Sequence, residues 1–358
     1  MNDMNLLDKV RIFIIGKPIL SRIASIIKNI YLSKSMKIEI EKVIAEHSTQ
    51  EQINDKKLMR SIKRDILFMD FYCYLDPTEY FQYNIYGRPL KIKKEYIGKR
   101  EIRIFNKKVD DPESKRILGN KWETYRLFSD YFKRDAILIK EENDFDIFRD
   151  FCLKHNVIFV KPLDKCGGIG ITKYEMSQDS DIESIFSDII NEGEMIVEEE
   201  IIQAPELARY HPGSINTVRI VTLCKENEVS VIQTILRVGE GDSFVDNVSS
   251  GGLFAEIDKN TGVIASPGFR DFEKTHYDVH PDTNVAFVGS QIPEWTELIG
   301  ITKELALRLP KQHLAGWDMA YSTRGWVMVE GNTFPAMFSR EGVGPRGIYE
   351  EIERQLSH

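Results

Sequence analysis

The stretch from Gly316 to Pro335 constrains this chain more than any other. Gly316-Trp317-Asp318-Met319-Ala320 sets apolar residues around a carboxylate, Ser322-Thr323-Arg324-Gly325 turns, and Trp326-Val327-Met328-Val329-Glu330-Gly331-Asn332 returns. Alternation with a period of two on either side of a glycine-containing turn predicts two short strands in a hairpin. Glu330 and Asn332 are two residues apart, so an extended strand projects them to the same face. Hairpin pairing brings Asp318 beside them. Three hard oxygen-bearing side chains gathered in this way suit Mg²⁺, which takes few protein ligands and completes its octahedron with water and phosphate. An ordinary hairpin with its acids in solvent is the competing reading.

A second stretch narrows the choice. Val157-Ile158-Phe159-Val160-Lys161-Pro162 is a β-branched and aromatic run ending on a lysine, and Leu163-Asp164-Lys165-Cys166-Gly167-Gly168-Ile169-Gly170-Ile171 follows as a glycine-rich turn. Glycines let backbone N–H groups close round phosphate oxygens, and a lysine at the strand end adds a point charge. No Gly-Lys-Ser/Thr closes the turn, so it is not a Walker loop; a plain turn is the other reading. A third stretch, Met195-Ile196-Val197-Glu198-Glu199-Glu200-Ile201-Ile202-Gln203-Ala204-Pro205-Glu206-Leu207, is a strand, an acidic hinge and a further acid after a proline.

Lysine strand, glycine turn, acidic hinge and Asp…Glu-x-Asn stand in one order. That order resembles the ATP-grasp superfamily, the fold of D-alanine–D-alanine ligase, glutathione synthetase and biotin carboxylase. The C-terminal half resembles most the sugar-transfer-associated ATP-grasp branch, and the resemblance runs over about residues 116–345. It implies an α+β chain with two α+β subdomains gripping ATP, after a mostly helical N-terminal region: residues 1–115, then 116–194, then 195–358. It implies ATP and Mg²⁺ as cofactors. Lys121 and Lys161 face the phosphates, with the Asp164–Gly170 turn, Gly167 and Gly168 included, closing over them. Glu199 meets the adenine amino group, the Glu200–Ile202 backbone serves the rest of the adenine edge, and Glu206 holds the ribose. Asp318, Glu330 and Asn332 carry the metal. Asn247 followed by Gly251-Gly252 resembles the Asn-x-x-x-Gly-Gly loop of ribosomal-protein glutamate ligases, which lies over the reacting groups. One departure stands out: where D-alanine–D-alanine ligase has an arginine two residues before the metal aspartate, this chain has Gly316.

Other readings come from the residues themselves. Asn216–Leu223 alternates strongly and pairs naturally with Val229–Val238, which would bring Arg219 and Arg237 onto facing strands. Two such arginines can clamp a carboxylate or a transferring phosphoryl group, and a surface role is the alternative. Glu198 reads as a solvated loop acid. Helices are expected over Ile38–His47, Lys57–Met69, a run opened by Gly119-Asn120-Lys121-Trp122 and reaching Phe132, Asp144–Lys154, Asp181–Ile190 and Ile292–Leu309, and a short strand over Ile102–Phe105. The aromatic run from Phe71 to Gly87 reads as core. His276 and His280 are four apart but sit in a loop pattern, and His211 and His313 stand alone; all four read as surface or substrate-side residues.

Composition excludes more than it selects. A net charge of −8 and an isoelectric point near 5.6 argue against nucleic-acid binding. Four cysteines without Cys-x-x-Cys spacing suggest neither zinc nor a disulfide framework. No run approaches a membrane span, and the first residues lack signal-peptide grammar, so a cytoplasmic protein is expected. Residues 1–40 nevertheless hold seven Lys and Arg against three acids. That segment reads either as a basic amphipathic helix on an anionic membrane surface or partner, or as a packed helix with a solvated face.

The expected activity is that of an ATP-dependent carboxylate–amine ligase working through an acylphosphate, with small-molecule carboxylate and amine substrates. The branch resemblance extends this to an amide on a sugar carboxylate or amino acid in bacterial surface polysaccharide biosynthesis, with a nucleotide sugar or glycan as a further partner. Phosphoryl transfer without ligation, and a non-catalytic ATP-binding regulator, are the alternatives.

Overall fold

A computed structural model describes Ile23 and residues 34–357, apart from 74, 84, 94, 166, 244–245, 247–250, 271–275 and 336–344. The basic segment of residues 1–40 lies almost wholly outside the described residues, as do Cys166 and Asn247. The chain divides into two compact units, Met1–Lys108 with Met337–His358, and Val109–Ala336.

In the first unit the helices expected over Ile38–His47 and Lys57–Met69 run over Lys34–His47 and Lys56–Cys73. Ile40 and Ile44, then Ile62, Ile66 and Met69, recur at spacings of three and four and share one buried cluster. Thr49 and Asp76 open the next short helices, Gln50–Asn54 and Pro77–Gln82, each with a capping box that satisfies two orphan N–H groups. The aromatic run is core: Tyr80 is fully buried and its hydroxyl donates to Asp65 at 2.7 Å. Ile102–Phe105 is not a strand. It lies inside a helix, Lys99–Val109, because Ile102, Phe105 and Val109 are three and four apart and share a face, while Ile104 points to solvent.

The second unit carries two antiparallel sheets, making the α+β class plain. Strands β1 (Ala136–Ile139), β2 (Val157–Pro162), β3 (Thr172–Glu175) and β4 (Met195–Glu199) form a four-stranded sheet in the order β1-β4-β2-β3. The helices Phe145–Lys154 and Ile182–Glu192 supply Phe148, Phe151, Phe186 and Ile189 to its core. Strands β5 (Thr217–Lys225), β6 (Glu228–Val238), β7 (Leu253–Glu256), β8 (Gly268–Arg270), β9 (His276–Tyr277), β10 (Leu314–Ser322) and β11 (Gly325–Asn332) form the larger sheet, in the order β11-β10-β5-β6-β7-β8-β9. Phe128 of the Lys121–Phe132 helix and Leu298 and Leu305 of the Trp295–Arg308 helix share a buried cluster with Trp317 and Trp326.

The predicted hairpin is β10–β11. Its turn closes on Gly325 at φ +78°, a conformation glycine adopts without a Cβ penalty. Asp318 pairs directly with Glu330 and Gly316 with Asn332. Asp318 also pairs with Arg219 on β5, so Glu330, Asp318 and Arg219 form one rung across three strands.

Candidate functional site

The rung is a charge array. Arg219 donates from Nε to Asp318 Oδ1 and from Nη2 to Asp318 Oδ2, both at 2.7 Å, the bidentate geometry in which a guanidinium fork matches a carboxylate. Arg237 on β6 adds a third bond, Nη1 to Asp318 Oδ2 at 2.9 Å, and with Nη2 reaches Asp246 Oδ1 at 3.0 Å. Asp246 Oδ2 accepts from the Thr217 N–H at 3.1 Å and from the Thr217 hydroxyl. Asp318, Arg237 and Asp246 are all buried. Burial alone would raise the Asp318 carboxyl, but the charges of Arg219 and Arg237 hold it below the ordinary range, so it is ionised. Asp246 is pushed up by burial, with Arg237 opposing.

Glu330, next on the rung, takes no guanidinium bond among the described residues, and the charges of Lys121, Arg219 and Lys161 reach it only at longer range. Burial and the charge of Asp318 raise its carboxyl above the ordinary range, and it forms no ion pair among the described residues. Two residues on, Asn332 Nδ2 is buried with no hydrogen-bond partner. The two ends of an amide are exchanged by a half-turn about the last side-chain bond, which would present Oδ1 at the same place. A desolvated anion without a counter-ion beside an unsatisfied amide fits a hard cation. Asp318 Oδ2 already accepts two guanidinium bonds and Oδ1 one, so Asp318 has at most one oxygen left to offer. Mg²⁺ therefore fits here with Glu330 and Asn332 as its principal protein ligands.

The smaller sheet supplies the opposite charge. Lys161, at the end of β2, donates to Glu198 Oε2 at 2.8 Å. Glu198 also accepts from Arg134 Nε and Nη2 at 3.0 and 2.7 Å, while Arg134 Nη1 donates to the Met328 carbonyl of β11 at 2.6 Å. Glu198 is thus not a solvated loop acid: it ends inside β4, is 3% exposed, and sits between two cations. Burial would raise its carboxyl, but Arg134 and Lys161 hold it down at about 2. Lys121 is the first residue of its helix, after the N-cap Asn120, whose side chain accepts from the Glu123 N–H; the Lys121 ammonium donates to the Lys165 carbonyl of the glycine turn. Gly167, Gly168 and Gly170 all have φ between +72° and +77°, which only glycine adopts freely three times in four residues.

These elements line one cleft of about 530 Å³, open to solvent, bounded by Lys121, Lys161, Gly167, Gly168, Glu198 and Glu330. Its lining holds three cations, Lys121, Lys161 and Lys165, and two carboxylates, Glu198 and Glu330.

A second, smaller cleft of about 270 Å³ lies along the hinge, bounded by Phe132, Arg134, Glu200, Ile202, Thr323 and Val327. The Ile202 carbonyl accepts from the Thr323 N–H at 3.0 Å, and Gln203 bridges to Ser322, so the hinge is tied to the β10–β11 turn. Glu199 accepts from Arg324 at 2.5 and 3.2 Å and from the Asp135 N–H at 3.0 Å, which leaves its side chain outside both clefts. Glu200 lines the hinge cleft with Lys173 4.0 Å away. Glu206 and Asp164 are exposed and line neither cleft. Asp135, His155 and Glu199 lie close enough to share an ion, but Lys154 already pairs with Asp135 and Arg324 with Glu199, so the cluster is electrically satisfied.

His211 and His280, expected at the surface or beside substrate, are buried. His280 Nε2 contacts the Gly239 carbonyl at 2.8 Å and His211 Nε2 the Gly241 carbonyl at 2.9 Å, fixing the backbone that follows β6. The sequence reading missed Arg134, Thr217 and Asp246 as parts of the charge arrays. Arg134 sits between a helix end and a short strand with nothing local to mark it. Asp246 stands one residue before Asn247 in a polar loop, and only its contacts with Arg237 and Thr217 distinguish it.

Two antiparallel sheets about a shared cleft, with a glycine turn on one and an acid-bearing hairpin on the other, make an ATP-grasp fold. The chain belongs to the sugar-transfer-associated ATP-grasp family, whose model matches residues 100–354. ATP and Mg²⁺ are the cofactors the family uses. No curated protein matches the sequence. Among solved structures the chain is similar to a D-alanyl-alanine synthetase A from Vibrio cholerae, at 15% identity over 69% of this chain and 63% of that one, with a TM-score of 0.40. It is similar to the VanG D-Ala:D-Ser ligase of Enterococcus faecalis, at 17% identity over 69% and 63%, with a TM-score of 0.44. It is also similar to the ATP-grasp ligase PsnB in complex with a minimal precursor, at 12% identity over 86% and 77%, with a TM-score of 0.40. The chain spans less than two thirds of the length of the first two. No helix among the described residues is long and apolar enough to cross a membrane.

Proposed function

We propose that the protein is an ATP-dependent carboxylate–amine ligase that releases ADP. The observation that carries this reading is the unpaired carboxylate of Glu330 facing Lys121 and Lys161 across one cleft: a cationic wall for phosphates opposite an anionic wall for a metal. Lys121, Lys161 and the backbone of Gly167 and Gly168 hold the phosphates. The hinge from Glu200 to Ile202 takes the adenine edge, and Glu206 the ribose. Glu199, clamped by Arg324, sets the hinge position and does not itself touch the base. Glu330 and Asn332 hold Mg²⁺ with one oxygen from Asp318; bound there, the ion supplies charge neutralisation for the phosphates. The two gripping subdomains are residues 116–194 and 195–358.

In the reaction an acceptor carboxylate oxygen attacks the γ-phosphorus, the bond to the β-bridging oxygen breaks, and ADP departs, leaving an acylphosphate. An amine then adds to the acyl carbon, loses a proton, and expels inorganic phosphate. Arg219 Nη1 makes no hydrogen bond among the described residues, so it is the guanidinium N–H free to meet the anionic oxygen of the tetrahedral state. Arg237, engaged by Asp318 and Asp246, holds the array in place, and Asn247 carries the acceptor side. The substrates are a sugar uronate or amino acid and a small amine, used in surface polysaccharide assembly. The protein works in the cytoplasm, with residues 1–40 as its contact to the inner membrane face.

The test is ADP release from MgATP by the purified full chain against a matrix of uronates and amines, with Glu330→Ala as control. Release that needs both a carboxylate and an amine, and disappears in the variant, supports the ligase. Release with a single acceptor points to a phosphotransferase, and nucleotide binding with no turnover on any pair points to a regulator.

A further inference from the structure

We infer that Glu198 is a positioning residue whose carboxylate fixes the Lys161 ammonium in the cleft and keeps it charged, with Arg134 as the buried counterweight. The inference rests on the nucleotide reading only for its consequence, not for its geometry. Lys161 has its side chain 13% exposed and Glu198 4%, so neither charge is supported by bulk water. A buried lysine without a carboxylate loses its proton readily, and a buried carboxylate with a single cation has no surplus charge to offer a ligand.

Here two cations converge on one oxygen, Glu198 Oε2: Lys161 at 2.8 Å and the Arg134 fork at 2.7 and 3.0 Å. Arg134 is 2% exposed at its side chain, is tied by Nη1 to the Met328 carbonyl at 2.6 Å, and lies over the Phe132 ring at 4.5 Å. It is locked on three sides and cannot turn to a ligand. Lys161 is the member of the triad that lines the cleft with its charge uncommitted to backbone. The triad therefore carries one net positive charge, and the geometry delivers it at Lys161. Glu198 is the hinge of that arrangement: it neutralises Arg134 electrostatically while orienting Lys161, and it does so from the strand that leads straight into the nucleotide hinge.

Glu198→Gln keeps the shape and removes the charge. In that variant the two cations lose the anion between them, only the more distant Glu330 carboxylate still acts on Lys161, and the flexible one, Lys161, gives up its proton first. The first measurement needs no ligand. Trace labelling of amines with acetic anhydride, followed by mass spectrometry of the Lys161 peptide across pH, reads the protonation of Lys161 directly. The expected result is labelling of Lys161 in the variant that sets in about one pH unit or more below that of the native protein. Glu198→Asp should restore the native profile in part. An unchanged Lys161 profile in Glu198→Gln overturns the inference.

The second measurement is calorimetric binding of ATP and of AMP at about pH 6.5 and about pH 8.5, spanning the interval over which a depressed lysine would discharge. The variant should bind ATP about tenfold more weakly at the higher pH and recover at the lower, since one charge–phosphate contact is worth roughly that factor. AMP should bind equally in both proteins. Equal loss of ATP and AMP would mean a structural role only, and would overturn the positioning claim. Absence of ATP binding by the native protein, with the labelling shift present, would overturn the nucleotide reading and leave the Glu198–Lys161 coupling standing.

Discussion

Arg219 grips Asp318 with two nitrogens at 2.7 Å each, across the rung where β5 and β10 pair. The guanidinium therefore reaches Asp318 from the neighbouring strand, not from two residues earlier on its own strand, where this chain has Gly316. Because Arg237 takes a second bond to Oδ2, Asp318 is first an anchor for two arginines and only second a candidate ligand. Removing one partner of a buried pair leaves the others uncompensated. Asp318→Ala is expected to cost about 3–5 kcal/mol in urea unfolding, and Arg219→Met with Asp318→Ala together to cost less than the sum of the two. Additive losses would mean that the pair is not coupled.

Glu330 behaves in the opposite way. Its carboxyl is raised from the ordinary value of 4.5, so the folded form holds its proton more tightly than the unfolded chain does. The stability it contributes is complete below that value and is lost as pH rises through the folded one. Without metal, Glu330→Gln should be at least as thermostable as the native protein at neutral pH, and the margin should shrink on acidification. With Mg²⁺ and nucleotide the order reverses: the native protein should gain a few degrees in Tm by mass action and the variant should not. A thermal-shift titration at several pH values reads both effects.

Gly316 makes room for the chain that leaves β11. A Cβ at this position would stand 2.6 Å from the Pro335 Cβ, a contact that a rigid ring cannot relieve. Gly316→Ala is expected to destabilise by about 1–3 kcal/mol, and Gly316→Arg by more, without raising turnover. A Gly316→Arg protein that is stable and faster would show that Arg219 does not stand in for the missing side chain.

His280 gives the fold an acid limit. Burial lowers its pKa below 6.5, against the pull of the Gly239 carbonyl and Asp282, and His211 with its ring 5.9 Å away adds a small push in the same direction. A base with a depressed folded pKa contributes stability that is present above 6.5 and lost as pH falls through the folded value. Chemical unfolding of the native protein from about pH 7 down to about pH 5 should therefore show a decline that His280→Gln flattens, since the amide can donate to Gly239 at every pH.

Much of this was legible in the chain. The β10–β11 hairpin, the β5–β6 pair, the glycine turn and the helices of both units announce themselves because their signals are local: a period of two or of 3.6, a cap, a glycine at a turn. Ile102–Phe105 was misread because four residues are too few to separate the two periods. Glu198 was misread for a different reason. Three consecutive acids look like a solvated loop, and nothing near them in sequence shows that the middle of a β-sheet places the first against Arg134, sixty-four positions earlier.

The sequence by itself determined which side chains can bear charge toward a ligand, and in what order along the chain: Lys121, Lys161, the glycines, the hinge acids, Arg219, Arg237, Asp318, Glu330 and Asn332. It determined the face each would share within its own strand, because side-chain alternation is a local property. Only the tertiary structure decided which of those charges are already spent. Strand pairing put Arg219 on Asp318, the hinge contact put Arg324 on Glu199, and the pairing of β4 with β1 and β2 put Arg134 and Lys161 on Glu198, leaving Glu330 without an ion pair among the described residues. A carboxylate's partner is fixed by an interaction that falls off with distance in space, and that distance is set by strand register and packing, not by spacing along the chain.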